Sequence, residues 1–257
     1  MKFSRPNRLM PVLFICLITW QLACDSPSGK VQQQAQPKTS NQNSASTTDV
    51  HSDGTVEVVS EAVDPSAAVD PTGMPRSLFD GNSMAGWEKI EFGGEGDIEV
   101  VDGEIRMYAG DPLTGISVTE DVELPTANYE FSLEAMKLEG TDFFCAVTFP
   151  VNDTFCTLVV GGWGGQLVGL SNLDGQDASS NQTRQLRKFE KNRWYAIKLK
   201  VLEDRITAWI DDEKLVDESI EGVEVSIRGD MTTTTPLGIT NFMTSSSIRN
   251  IGIRKLD

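Results

Sequence analysis

The feature that most limits the fold is a change of rhythm at Arg76. From there to Asp257 apolar residues fall in short period-2 runs broken by Gly, Asp, Asn and Pro, and no stretch carries a convincing 3.6-residue repeat. Tyr129, Phe131, Leu133 and Ala135 alternate with Glu130, Ser132 and Glu134, the pattern of a strand with one dry and one wet face. Residues 98–107 read as a hairpin around Asp102-Gly103, a pair suited to the positive φ angles of a type I′ turn. Trp194–Val201 and Arg205–Ile210 read as partners around Leu202-Glu203-Asp204, and Asp211-Asp212-Glu213 turns the chain into a strand over 214–216. The final segment, 248–256, switches its apolar face partway, which one bulge accommodates. Trp87, Trp194 and Trp209 sit in strand contexts and are expected in the core. About 180 residues in roughly ten to fourteen short strands predict an all-β fold over 76–257, a two-sheet antiparallel sandwich around one buried layer.

The residues before this region have a different physical character. Lys2, Arg5 and Arg8 precede an apolar run over 9–23 that ends at Ala23-Cys24, the order of a secretory signal over 1–24. The run is short for a membrane span, which takes roughly 20 apolar residues. Leu22-Ala23-Cys24 is similar to a bacterial lipobox, which makes Cys24 the expected lipidation site. An ordinary secretory signal and an uncleaved anchor are the alternatives. Asp25 after the cysteine points to the inner membrane, so the expected location is exported, membrane-anchored and periplasmic. Residues 25–75 are Gln, Ser, Thr, Asn, Asp and Pro with hardly an aromatic, too poor in apolar surface to offset chain entropy, and are expected to form a disordered tether.

Composition removes several function classes. The formal net charge of −16 disfavours nucleic acid and anionic membrane surfaces as partners. The one histidine, His51, lies in the expected tether, so the sandwich lacks the base of a Ser-His-Asp or Cys-His site and the ligands of a His-rich zinc site. Of four cysteines, Cys16 and Cys24 belong to the signal region. Cys145 and Cys156 flank Pro150-Val151-Asn152-Asp153. A hairpin symmetric about Pro150 and Val151 sets the two cysteines opposite each other, at a spacing that permits a disulfide in an oxidising compartment. Two buried free thiols are the alternative.

Three segments carry candidate chemistry. Gly161-Gly162-Trp163-Gly164-Gly165 lacks the Lys and Ser/Thr of a phosphate loop, but its glycines leave the Trp163 ring uncovered. Trp163 is thus either a stacking platform for a sugar, with Gly164 and Asn172 beside it, or a cap on the sandwich edge. The polar loop from Asn172 brings Asp174 and Asp177 close together, either as oxygen ligands for a divalent cation such as Ca²⁺ or as turn caps. Glycoside chemistry needs two facing carboxylates. Asp153, Asp174, Asp177 and Glu190 lie nearest the aromatic and glycine-rich segments and are the catalytic candidates.

Ser77-Leu78-Phe79-Asp80-Gly81, then Gly86-Trp87, begins an ordered set of motifs. It continues through Val101-Asp102-Gly103-Glu104-Ile105, Asn128-Tyr129-Glu130-Phe131, Arg193-Trp194-Tyr195, 205–211, Pro236-Leu237-Gly238-Ile239 and Ile248-Arg249-Asn250-Ile251. The set resembles the 3-keto-disaccharide hydrolase-like domain family across 77–257. That resemblance implies a concanavalin A-like jelly roll, common in exported lipoproteins, and hydrolase or lyase action on 3-keto-glycosides. The segments 143–149 and 156–159 are more apolar than in the commoner family form. A non-catalytic glycan-binding or scaffold module therefore stands beside the enzyme as the second reading.

Overall fold

The computed structural model describes residues 75–257. The expected signal, Cys24 and the tether lie outside them, apart from Pro75. Strands are numbered β1 to β15 in chain order. One antiparallel sheet runs β13 (Glu213–Ser219), β12 (Arg205–Ile210), β11 (Trp194–Val201), β6 (Tyr129–Gly140), β15 (Thr244–Lys255), β4 (Glu104–Met107), β3 (Ile98–Val101), with β1 (Arg76–Ser77) also on β15. The other runs β10 (Gln185–Leu186), β9 (Leu167–Ser171), β8 (Thr154–Gly161), β7 (Cys145–Val151), β14 (Gly238–Phe242), β5 (Leu113–Val118), β2 (Trp87–Lys89). This is the two-sheet antiparallel sandwich that the alternation predicts, and the jelly roll of the concanavalin A-like kind that the family resemblance implies.

Local chemistry explains the elements. Asp102 and Gly103 both take positive φ, 53° and 79°, and close the β3–β4 hairpin as the Asp-Gly pair requires. Along β6, Tyr129, Phe131, Leu133 and Ala135 are buried while Glu130 and Glu134 face outward to Arg254 and Arg249. The bulge expected within 248–256 falls between Arg249 and Gly252, with Asn250 at φ 53°, and a second register shift lies between Ser245 and Ser246. Phe131, Ile105, Val147, Phe149, Leu158, Leu199 and Ile239 are fully buried between the sheets. Burial of this kind stabilises by about 1.5–3 kcal/mol per large apolar side chain.

Two expectations need correction. Cys145 and Cys156 form no disulfide; both are free, buried thiols. The β7–β8 hairpin turns at Asn152 and Asp153, pairing Val151 with Thr154, Cys145 with Val160 and Cys156 with Phe149. The cysteines share the inner face but stand four positions apart along the hairpin, about 13 Å at 3.3 Å per residue, beyond the reach of a bridge. The turn moves because Asn152 accepts the left-handed conformation (φ 53°), which a β-branched residue resists, so Val151 stays in the strand with its side chain buried. The second correction concerns the tryptophans. Trp87 is core, but Trp194 and Trp209 are half-buried on the outer face of the first sheet, roofed by Arg249 at 4.0 Å and Lys198 at 4.4 Å.

Candidate active site or glycan-binding cleft

The outer face of the second sheet is not a solvated surface. Ala146, Val159 and Leu167 point outward, and with Leu113, Phe143, Ala178 and Met231 they form a second apolar cluster. Two segments lie over it. The loop after β9 seats Ala178 against Gly169, where an added Cβ would come within 3.2 Å of the alanine methyl. A 3₁₀ turn, Gly229–Thr234, buries Met231 and Thr234. Thr234, Thr148 and Thr157 link in a hydroxyl chain of 2.6 and 3.0 Å, so these polar groups on the face are paired.

Where this cover stops, a cavity of about 190 Å³ opens. Thr157, Val159 and Ser171 form its floor, and Arg228, Asp230 and Met231 one wall. Asp142, Phe143 and Trp163 close the far end. Trp163 is 44% exposed there. Its backbone is left-handed, φ 46° and ψ 58°, in a turn whose Gly161, Gly164 and Gly165 also have positive φ. A bulky residue in that region costs about 1–3 kcal/mol and persists only where its surroundings hold it. Asp142 supplies part of that hold, its carboxylate accepting the N–H of Phe143 at 2.8 Å and of Gly164 at 3.2 Å. Below the turn, the Lys137 ammonium donates to the Asp142 carbonyl at 3.4 Å.

Charge at the cavity is organised by Arg228. Its Nε and a terminal nitrogen reach both oxygens of Asp230 at 3.1 Å, and another terminal nitrogen lies 3.6 Å from Asp177. Desolvation raises the Asp177 pKa, but hydrogen bonds from Ser179, with Ser180 and Arg228, outweigh it and hold the carboxyl below the usual range.

The structure brings some of the sequence candidates together and leaves others apart. Trp163 and Gly164 belong to the turn at the cavity mouth, and Asp177 touches it through Arg228. Asn172 sits beside Ser171, its backbone exchanging hydrogen bonds with Ser226 at 2.6 and 3.1 Å and its side-chain carbonyl accepting from Ser171. It ties down the segment that carries Arg228. Asp174 is exposed at a turn and accepts the Glu224 N–H at 2.9 Å. Asp153 is at the β7–β8 tip beside a separate cavity lined by Val122, Pro150 and Phe155. Glu190 is exposed, and its backbone N–H donates to the Tyr195 hydroxyl at 2.7 Å. Among the described residues no three His, Cys, Asp or Glu side chains converge to hold a metal ion. Sequence reasoning missed Asp142, Phe143, Arg228, Asp230, Met231 and Phe242, the last lining the cavity beside Phe143 at 5.6 Å between ring centroids. The one available signal was Arg228-Gly229-Asp230, a charged pair beside a glycine in an otherwise patternless loop.

The family model for the 3-keto-alpha-glucoside-1,2-lyase-like domain matches residues 74–254. No curated protein matches the chain. Among solved structures, the carbohydrate-binding module CBM66 from Bacillus subtilis is 12% identical, covering 66% of this chain and 96% of its own at a TM-score of 0.46. The apo Crh5 transglycosylase is 11% identical over 71% of this chain and 83% of its own, TM-score 0.48. SCLam, a non-specific endo-beta-1,3(4)-glucanase, is 8% identical over 74% and 90%, TM-score 0.45.

Proposed function

Since the chain belongs to the 3-keto-alpha-glucoside-1,2-lyase-like domain family, we propose that it is a carbohydrate-directed domain that binds a sugar ring in the Trp163 cleft. One observation carries this reading: an indole left 44% exposed, in a costly left-handed conformation, at the mouth of a cavity with hydroxyls on its floor and charged groups on its wall. A sugar presents C–H groups on one ring face. Stacking that face on Trp163 buries about 50–80 Å², worth about 1–2 kcal/mol, and leaves hydroxyls for Asp142, Asp230, Arg228 and Thr157 to orient. Such a contact alone falls about 2–3 kcal/mol short of the roughly 4 kcal/mol that millimolar affinity needs, a gap that several hydrogen bonds would close. The amino-terminal pattern supports export and attachment through Cys24, with a glycan or keto-sugar as the partner met outside the cytoplasm.

Family membership favours a second reading, elimination across C1–C2 of a 3-keto-glucoside. There the C3 ketone acidifies the C2 hydrogen, a carboxylate removes it, and the C1 oxygen departs with a proton. The cleft offers Asp142 and Asp230 for such roles. Asp142 already holds two backbone N–H groups and Asp230 already holds Arg228 through both oxygens, so neither is a free base. That occupancy ranks binding ahead of catalysis.

The test is titration of the full chain with a glucoside and its 3-keto derivative, followed by tryptophan fluorescence and by release of the aglycone. Trp163→Ala is expected to weaken binding about 5- to 30-fold while the melting temperature changes by only a few degrees. A large drop in melting temperature with binding intact would make Trp163 a packing residue and end this reading. Aglycone release by the wild type, lost in Asp142→Asn or Asp230→Asn, would put the enzyme first.

A further inference from the structure

Behind the Trp163 turn lies another cavity, of about 290 Å³, lined by Lys137, Thr141, Gly165, Gln166, Lys188 and Phe189, with Gly140 and Gly164 completing it. Gly164 also belongs to the turn that carries Trp163, so the two cavities lie on either side of that turn. Lys137 is the unusual member. It continues the inward-facing row of β6 after Ala135, is only 5% exposed, and ends in an ammonium whose hydrogen-bond partner among the described residues is the Asp142 carbonyl, at 3.4 Å. An ammonium has three donors, and burying one with so little compensation is costly. Its charged neighbours are Asp142, which stabilises the charge, and Lys191, which opposes it. Lys188 adds a second cation from the exposed rim. In a chain of net charge −16, the charged side chains lining this cavity are both lysines.

We propose that this cavity receives the carboxylate of an acidic sugar, held by Lys137 and Lys188, while the sugar contacts the Trp163 turn. The carboxylate would give Lys137 the acceptors it lacks, as charge-assisted hydrogen bonds, and Lys188 would supply the second positive group. Phe189, packed edge-on against Phe144 at 5.1 Å and Tyr195 at 5.0 Å, provides a fixed apolar wall for the ring that bears the carboxylate. The anion site stands on the two lysines alone. Its assignment to a sugar rests on the reading of Trp163 given above.

Titration calorimetry of the full chain with sodium D-glucuronate, D-glucose and sodium sulfate separates the parts. Wild type is expected to bind glucuronate at least ten-fold tighter than glucose. In Lys137→Met, which keeps the apolar stem, that ratio should fall toward one, and Lys188→Ala at the exposed rim should lower it several-fold. Equal wild-type affinity for glucuronate and glucose, or an undiminished ratio in Lys137→Met, overturns the anion site. Sulfate binding as tightly as glucuronate overturns its assignment to a sugar. If Trp163→Ala leaves both sugars bound as before, the Trp163 reading falls instead, whatever the lysine variants do.

Discussion

The carboxylate of Asp142 accepts the backbone N–H of Gly164 at 3.2 Å, across 22 residues of chain. This bond joins the entry to β7 with the turn that presents Trp163. The same carboxylate takes the N–H of Phe143, so removing it leaves that part-buried donor short of its partner and returns the exposed Gly164 N–H to water. Asp142→Ala is therefore expected to cost about 1–3 kcal/mol in denaturant unfolding and to free the Trp163 turn. The checks are the unfolding midpoint and the anisotropy of Trp163 fluorescence in a variant with the other tryptophans replaced. Unchanged midpoint and anisotropy would show that Asp142 does not hold the turn.

The cysteine pair gives the sharpest chemical test. Burial pushes the Cys156 thiol up to about 12 and raises Cys145 still further, so neither forms a thiolate at neutral pH. Peptide mass spectrometry after alkylation of native protein should find both unlabelled. Alkylation in guanidinium without reductant should label both, since no bridge protects them. Labelling that requires reductant would mean the hairpin pairs otherwise than described.

These residues also show how far a sequence can be read. Alternation along Tyr129 to Ala135, the Asp102-Gly103 turn and the bulge before Gly252 are local patterns, and local physics sets them. Register depends on which residue takes the turn. Two candidate centres only two residues apart, Pro150-Val151 and Asn152-Asp153, displaced Cys145 from Cys156 by four positions. The cleft was half legible. Four glycines around one tryptophan predicted an uncovered ring, but Asp142, Arg228 and Asp230 arrive from segments distant in the chain and carry no periodicity. Acid-rich loops elsewhere drew attention to Asp153, Asp174 and Glu190, whose structural surroundings are a hairpin tip, a turn cap and an exposed loop.

Gly165 is expected to tolerate substitution poorly. Its φ is +95°, and an added Cβ would lie 2.9 Å from the Thr141 carbonyl and 3.1 Å from the Lys137 ammonium. The ammonium is the end of a flexible side chain, but the carbonyl is backbone and cannot move alone. Gly165→Ala should destabilise by about 1–3 kcal/mol, read as a lower unfolding midpoint with unchanged slope. Gly175, also at positive φ (70°) but with nothing within 4 Å of its would-be Cβ, is the control and should lose less. Equal losses at both positions would place the cost in backbone strain alone, without the Thr141 contact.

Lys137 makes stability depend on pH in a direction that can be stated in advance. Desolvation lowers its pKa from the ordinary 10.5, Asp142 partly restores it, and Lys191 lowers it further. Between the folded value and 10.5 the unfolded chain binds more protons than the folded one, so stability from this group rises with pH through that window. Below the folded value the penalty for a buried ammonium is present in full. Lys137→Met removes it, and without ligand should raise the melting temperature at pH 7. The gain should shrink as pH rises toward 10.5, because the folded wild-type lysine loses its proton before the unfolded one does. Melting curves of both proteins from pH 7 to pH 10 measure the difference, which cancels the titration of other groups. A variant less stable than wild type by the same amount across that range would show Lys137 to be a structural donor whose charge the fold accommodates.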